Sequence, residues 1–286
     1  METADHAETS HALSISAGQA LKARYRSAAP DAAGPWNDVI ATMLGHRSVR
    51  AYLPDALPAG SLERIVAAAQ SAATSSNMQT WSVIAVEDAD RKARLAKVAG
   101  GQKHILQCPT LLVWIADHSR IRALGARANA PVAALDYLES FLVAAIDAAL
   151  AAQNAVVAAE SLGLGTVYIG ALRNDPKAVA AELALPHGAA AMFGLCLGYA
   201  DPAGASDVKP RLPQAPVFHR EQYDASRATQ AMFEVYDADM MAFQSEQGVA
   251  LAPWTTTALA RFRGPGSLNG RDGVRAALQA LGFALE

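Results

Sequence analysis

The stretch AAQNAVVAAESLGLGTVYIGALRN, residues 151 to 174, carries the pattern that decides the fold. Its first half ends a long alanine-rich run, Leu135 to Leu162, that is apolar on almost every side, which predicts a helix buried in the core or against another subunit. Gly163 stands where a glycine ends a helix, and residues 166–169 follow as a short strand. A dinucleotide-binding fingerprint needs the reverse order, strand then helix, so a Rossmann fold is not indicated.

Outward from this stretch, helices and strands follow one another without a regular βαβ repeat, so the predicted fold class is α+β. The strand 110–116 is apolar on both faces, which predicts a central strand. The predicted strands are residues 82–86, 110–116, 166–169 and 192–197. The predicted helices are residues 13–26, a short helix from Trp36, and residues 61–74, 91–98, 135–162, 176–185, 227–247 and 270–281.

Composition and linkers predict the domain organisation. Residues 1–35 are predicted to be an amino-terminal arm and linker, because Ser27 to Pro35 is rich in alanine and proline. Residues 36–286 then form one domain, including a carboxy-terminal helical excursion at about 217–286.

Charge and hydropathy exclude several partners. The 24 Lys and Arg against 27 Asp and Glu give no field of one sign, so neither nucleic acid nor an anionic membrane is expected. The amino terminus lacks the basic residues of a secretory signal, and no apolar run reaches the roughly 18 residues of a transmembrane helix. We therefore expect a cytoplasmic protein.

Two short basic clusters are candidate anion sites. The first, His46-Arg47-Ser48-Val49-Arg50, combines cationic side chains with a hydroxyl, and such donors suit a phosphate. The second, Lys209-Pro210-Arg211, lies in a proline-rich stretch whose extended backbone projects Lys209 and Arg211 to the same side. A solvated surface loop explains the first cluster equally well, and a solvated linker explains the second better.

The other candidate binding residues also have structural explanations that need no ligand. Gly170 ends a predicted strand, where a glycine lets a backbone N–H approach a ligand closely. Residues 74–77 and 100–103 are polar runs that suit either ligand donors or plain loops. The seven histidines show no HxxxH or HExxH spacing, so no metal site is expected, and Cys108 and Cys196 lie in apolar runs typical of buried thiols.

Six motifs, taken in order, resemble the nitroreductase family, and within it the NADPH nitroreductase and flavin reductase branch, from about residue 37 to 220. They are HRSVR (46–50), TSSNMQTW (74–81), GGQKH (100–104), the opening stretch (151–174), FGLCLGY (193–199) and KPRLP (209–213). The resemblance implies a nitroreductase-like α+β fold with a central mixed, mainly antiparallel sheet flanked by helices. It also implies an intertwined homodimer with FMN at the interface.

The resemblance further implies which residues bind FMN. Those around its phosphate and ribityl chain are His46, Arg47, Ser48, Lys209 and Arg211. Arg50 and Gln102 are implied at the pyrimidine edge, where a cation offsets the negative charge that reduction places on the flavin. The remaining implied contacts are a loop from the partner subunit, with Thr74, Ser75 and Asn77, and the backbone of Tyr168, Ile169, Gly170 and Ala171, with the Gly170 N–H at flavin N5.

The implied activity is a ping-pong reduction, in which NADPH or NADH reduces FMN and a nitroaromatic or quinone acceptor then takes the hydride. Two alternatives remain: a flavin reductase that supplies reduced FMN, and a flavin-binding protein without turnover.

The residues leave open whether NADPH or NADH is the electron donor. The family branch carries arginines that bind the NADPH 2′-phosphate, whereas the matching residues 245–254, SEQGVALAPW, have none. Arg173 matches the family, and Arg261 and Arg263 are candidate substitutes for which surface placement is favoured.

Overall fold

In the part of the chain that the structure describes, four antiparallel strands form the central sheet. They are β1 (Trp81–Val86), β2 (Thr110–Asp117), β3 (Gly165–Ile169) and β4 (Ala189–Gly198), hydrogen-bonded in the order β1-β2-β4-β3. Every residue of β2 is buried, as its apolar run predicted. A parallel bridge joins Ser48 to Thr166 in β3. All pairings among the four strands are antiparallel, and this bridge lies outside them, which confirms the predicted mainly antiparallel sheet.

The computed structural model describes residues 15–204 and 207–286, so the predicted helix start at residues 13 and 14 lies outside the described part. Eleven α-helices lie within these two ranges. They are α1 (Ala17–Tyr25), α2 (Asp38–Gly45), α3 (Ser61–Gln70), α4 (Ala89–Val98), α5 (Lys103–Gln107), α6 (Ser119–Ala128), α7 (Leu138–Ser161), α8 (Pro176–Glu182), α9 (Gln230–Glu246), α10 (Trp254–Arg261) and α11 (Val274–Ala280).

Most predicted elements are present, with differences at the ends. Three helices, α5, α6 and α10, were not predicted from the sequence. The helix from Ser61 ends at Gln70 rather than near Thr74.

The chain divides into two units. One comprises residues 1–46 and 208–255, and it contains α1, α2 and α9. The other comprises residues 47–207 and 256–286, and it contains the sheet. The predicted boundary between an arm and a domain at residue 35 stays a prediction.

Helices cover both faces of the sheet, and β2 shows how the pleat separates the two cores. Leu112 and Trp114 pack with α3 and α7 on one face. Leu111 and Val113 pack with α4 and α8 on the other. This alternation is the period of two expected of a strand buried on both sides.

α7 corrects one expectation. Its length and apolar composition would suffice to cross a membrane, contrary to the prediction that no segment does. One face, with Ala148, Ala152 and Ala155, is fully buried against the sheet, as in a core helix. The opposite face exposes a line of large apolar side chains, so the predicted burial of this face against another subunit stays a prediction.

Candidate active site

The segment 47–50 lies against the edge strand β3. The Val49 N–H donates to the Thr166 carbonyl at 2.9 Å, and the Val49 side chain is buried. A Cβ at Gly165 would lie only 2.6 Å from Val49 Cγ2, so this close approach requires glycine. Arg47 and Arg50, on either side of Val49, remain exposed. The first basic cluster is thus an ordered strand-like segment rather than a loose loop.

Arg50 also acts electrostatically on the loop that contains Gln102. The pKa of half-buried His104 is lowered, first by desolvation and then by the positive charge of Arg50. His104 follows Gln102 by two residues, and the preceding Gly100 and Gly101 both have positive φ, 79° and 77°. The structure therefore brings Arg50 near the loop that contains Gln102. The resemblance implies that Arg50 and Gln102 lie together at the same edge of the flavin.

The end of β3 contains a glycine that protein packing does not explain. Gly170 begins a short 3-10 turn, and a Cβ there would only touch the Arg173 guanidinium at an ordinary 3.5 Å. Its φ is outside the left-handed region. Beside it, Ile169 is buried in the core, Ala171 is half-buried, and the exposed Tyr168 packs edge-to-face on Phe193. A ligand that approaches the backbone closely would explain the glycine.

The Thr74–Asn77 loop is attached to α7. The buried carboxylate of Asp147 accepts a hydrogen bond from the Ser75 N–H at 3.1 Å and a longer one from the Thr80 hydroxyl at 3.4 Å. Non-glycine residues with positive φ, at 47°, 55° and 53°, are Ser76, Asn77 and Gln79. Backbone strain of this kind tends to collect at functional loops. The described hydrogen bonds of this loop go to α7, stay within the loop, or join it to the adjacent Met78 and Gln79.

The second basic cluster has a well-ordered backbone and exposed cationic side chains. The Pro210 carbonyl accepts from the Tyr236 hydroxyl at 3.1 Å, and the Lys209 carbonyl accepts from Arg24 at 2.8 Å. The His46 carbonyl accepts from the same Arg24 guanidinium at 2.6 Å. Arg211 lines a cavity of about 720 Å³. The structure therefore brings Lys209 and Arg211 together with His46, and these donors suit a phosphate such as that of FMN.

Arg24 was not among the residues predicted from the sequence, because no periodicity or motif links a lone arginine in the amino-terminal segment to residues far along the chain. Arg271, which lies in a turn between Gly270 and Gly273, was not among them either.

Arg271 belongs to a group of three arginines, with Arg173 and Arg261. The pKa of Arg173 is lowered by desolvation and then by Arg271, and that of Arg271 by desolvation and then by Arg261. In the described ranges, none of the three forms an ion pair with a carboxylate. Arg261 and Arg263 are exposed, as favoured from the sequence. Like charges in such proximity favour the binding of an anion.

An antiparallel sheet flanked by helices, with a basic cluster that suits a phosphate, fits the class of enzymes that bind a phosphate-bearing cofactor. The chain belongs to the nitroreductase family. The family model described as "Nitroreductase family" matches residues 43–199, and "Nitroreductase family, C-terminal domain" matches residues 209–286. Both matches leave residues 1–42, and hence α1, outside.

Relatives agree with this assignment. The chain is 39% identical over 212 residues to "FMN reductase [NAD(P)H]" of Bacillus subtilis, covering 74% of this chain and 84% of the relative. It is 41% identical over 184 residues to "Oxygen-insensitive NADPH nitroreductase" of Salmonella typhimurium, covering 64% and 74%. Its fold matches the solved NADPH:FMN oxidoreductase from Vibrio harveyi in complex with NAD+, with a TM-score of 0.77, 32% identity, and 87% and 100% coverage.

These findings confirm the resemblance carried by the six motifs. They confirm the nitroreductase-like α+β fold and the predicted class of enzyme, an FMN-dependent NAD(P)H oxidoreductase. The individual FMN contacts, the homodimer and the acceptor stay predictions.

Proposed function

We propose that this protein reduces nitroaromatic compounds and quinones with electrons from NADPH or NADH, in a ping-pong cycle through bound FMN. The observation that carries the proposal is Gly170 at the end of β3. Among the described residues, a Cβ there would make only an ordinary contact with Arg173, and a backbone this uncrowded suits the close approach of a flavin ring. Bound FMN supplies the hydride chemistry, so the protein needs to bind, orient and tune it.

The proposed phosphate ligands are His46, Lys209 and Arg211, with Arg47 and Ser48 following directly in the chain. Exposed guanidinium and ammonium groups on an ordered backbone are suited to a dianion, since less conformational entropy is lost on binding.

Around the ring, Arg50 and Gln102 are proposed at the pyrimidine edge. The effect of Arg50 on His104 supports this pairing, because it requires the arginine to lie near the Gln102 loop. The backbone from Tyr168 through Ile169 and Gly170 to Ala171 is proposed to flank the isoalloxazine. A fixed cation at the pyrimidine edge stabilises the negative charge of the reduced ring.

A homodimer through α7 completes the proposed site. Four large apolar side chains, spaced by four residues, are each between 43% and 56% exposed: Leu138, Leu142, Ile146 and Leu150. Such a line favours burial against a second copy. Asp147 fixes the Thr74–Asn77 loop to the same helix, which supports the proposal that Thr74, Ser75 and Asn77 reach the flavin of the partner subunit. We also propose that the enzyme acts in the cytoplasm.

For the electron donor, we infer that Arg173, Arg261 and Arg271 take the role of the arginines missing from residues 245–254. Arg173 lies beside Gly170, and a phosphate of the donor would relieve the mutual repulsion of the three charges.

The purified protein tests the proposal directly. We expect a yellow protein that bleaches on anaerobic addition of NADPH or NADH and regains colour on addition of a nitroaromatic compound. A protein that stays colourless in excess FMN would contradict the proposal.

The alternative of a flavin reductase is supported by the name "FMN reductase" of a relative. Release of free reduced flavin at a rate that exceeds nitroaromatic turnover would favour it. FMN binding without consumption of NADPH or NADH would indicate a binding protein.

A further inference from the structure

Arg24, near the end of α1, joins the two basic clusters. It is only 5% exposed, and its guanidinium donates to three main-chain carbonyls: Lys209 at 2.8 Å, Leu44 at 2.8 Å and His46 at 2.6 Å. Its own carbonyl accepts from the Arg211 N–H at 2.9 Å. One buried residue therefore holds the backbone at His46, Lys209 and Arg211.

The hydrogen bonds of Arg24 fit the two backbone segments that they join, the end of α2 and the second basic cluster. The Leu44 carbonyl belongs to the last turn of α2, where carbonyl groups lack helical partners and the helix dipole is negative. A guanidinium there caps the helix and orients His46, which follows directly. At the other cluster, Arg24 contacts both sides of Pro210, whose carbonyl is held in turn by Tyr236. The side chains of Lys209 and Arg211 are left exposed.

A phosphate dianion is bound tightly only when its donors converge before binding, because each loose segment must otherwise be ordered at the cost of affinity. His46 and Lys209 are far apart in the sequence, and each cluster alone has the composition of a solvated loop. The guanidinium of Arg24, with its planar set of donors, is able to hold both at once.

We propose that Arg24 is a positioning residue for the FMN phosphate, one that this chain supplies from a segment outside both matched family regions. The proposal rests on the proposed function, since it assumes that FMN binds at the two basic clusters. Arg24 acts through the backbone of His46, Lys209 and Arg211, and it does not touch the flavin in this role.

The test compares FMN with riboflavin, which lacks the phosphate. Dissociation constants of both flavins are measured by fluorescence quenching for the wild type, Arg24→Lys and Arg24→Met. The matched control is Arg26→Lys, a half-buried arginine of the same segment whose described side-chain contacts, with Glu246 and the Phe243 ring, lie outside the two basic clusters. We expect both Arg24 variants to bind FMN at least about tenfold more weakly, with riboflavin affinity within about twofold of wild type. We expect no change for either flavin in the control.

Each outcome is decisive. An equal loss for both flavins, or no loss, overturns the positioning role while leaving the proposed function standing. A wild type that binds neither flavin overturns the proposed function itself.

If both Arg24 variants fail to fold, Tyr236→Phe takes their place. It removes only the hydroxyl that holds Pro210 in the same backbone, and we expect a smaller loss confined to FMN. An unchanged FMN affinity in that variant would show that backbone order in this segment does not govern phosphate binding, and the proposal falls.

Discussion

Val49 lies directly over the position that a side chain at Gly165 would occupy. A Cβ at Gly165 would be 2.6 Å from Val49 Cγ2, far inside van der Waals contact. The Val49 N–H also donates to the neighbouring Thr166 carbonyl at 2.9 Å. The segment with Arg47 and Arg50 therefore lies against β3 because residue 165 is a glycine.

Gly165→Ala is expected to lower the free energy of unfolding by about 1 to 3 kcal/mol, because the new methyl group overlaps Val49. Adding Val49→Ala to the same chain should recover part of the loss, since it removes the overlapping methyl groups. Urea unfolding of both single variants and the double variant measures the coupling. Gly273→Ala serves as the control, since among the described residues a Cβ there meets no atom within 4 Å beyond its own chain neighbours. Strict additivity would contradict the contact.

Gly170→Ala should leave the free energy of unfolding within about 0.5 kcal/mol of wild type, because its new Cβ makes only an ordinary contact with Arg173. FMN affinity should fall about tenfold if the flavin lies against this backbone. Chemical unfolding and flavin titration measure the two quantities. Unchanged flavin affinity in a fully folded variant would place the ring elsewhere.

Arg50→Leu should raise the pKa of His104 toward its ordinary value of 6.5, because one of the two causes of its depression is removed. The folded protein disfavours protonation of His104. The stabilising contribution of neutral His104 is therefore present above pH 6.5, and it is lost as the pH falls through the lower pKa that His104 has in the folded state. Nuclear magnetic resonance of the imidazole signals in both proteins measures the shift. An unchanged His104 pKa would contradict the placement of Arg50 near the loop that contains Gln102.

Arg271→Ala should raise the KM for NADPH about tenfold and the KM for NADH less, since only NADPH has the additional 2′-phosphate. The kcat should change little, because this contact is made equally before and during hydride transfer. Steady-state kinetics with both donors provides the measurement, with the exposed Arg263→Ala as the control. An equal rise in the KM for NADPH and for NADH would indicate that Arg271 contacts a part of the molecule that both donors share.

Ile146→Glu should convert the proposed homodimer to a monomer, because it places a charge at the centre of the exposed apolar line on α7. Analytical ultracentrifugation measures the mass, and Glu139→Gln on the same helix is the control. A dimer that persists unchanged would locate the interface away from α7.

Local patterns in the sequence predicted most of the fold. Three features depend only on residues close in sequence, and their patterns therefore predicted them. They are the apolar run of β2, the glycine that ends α7 and the strand that follows it. The end of α3 was placed too late because residues 71–74, SAAT, contain neither a glycine nor a proline to mark the end of the helix. Whether α7 is buried in the core or against another subunit was left open by the sequence, because an apolar helix has the same composition in both cases.

By itself, the sequence determined the order of the elements, the two basic clusters and the motifs that resemble the nitroreductase family, because each is written in neighbouring residues. Only the tertiary structure decided that Gly165 admits Val49, that Arg50 acts on His104, and that Arg24 holds Lys209 from 185 positions away. Contacts of this kind leave no period or spacing in the chain, because they arise from packing between segments that meet only after folding.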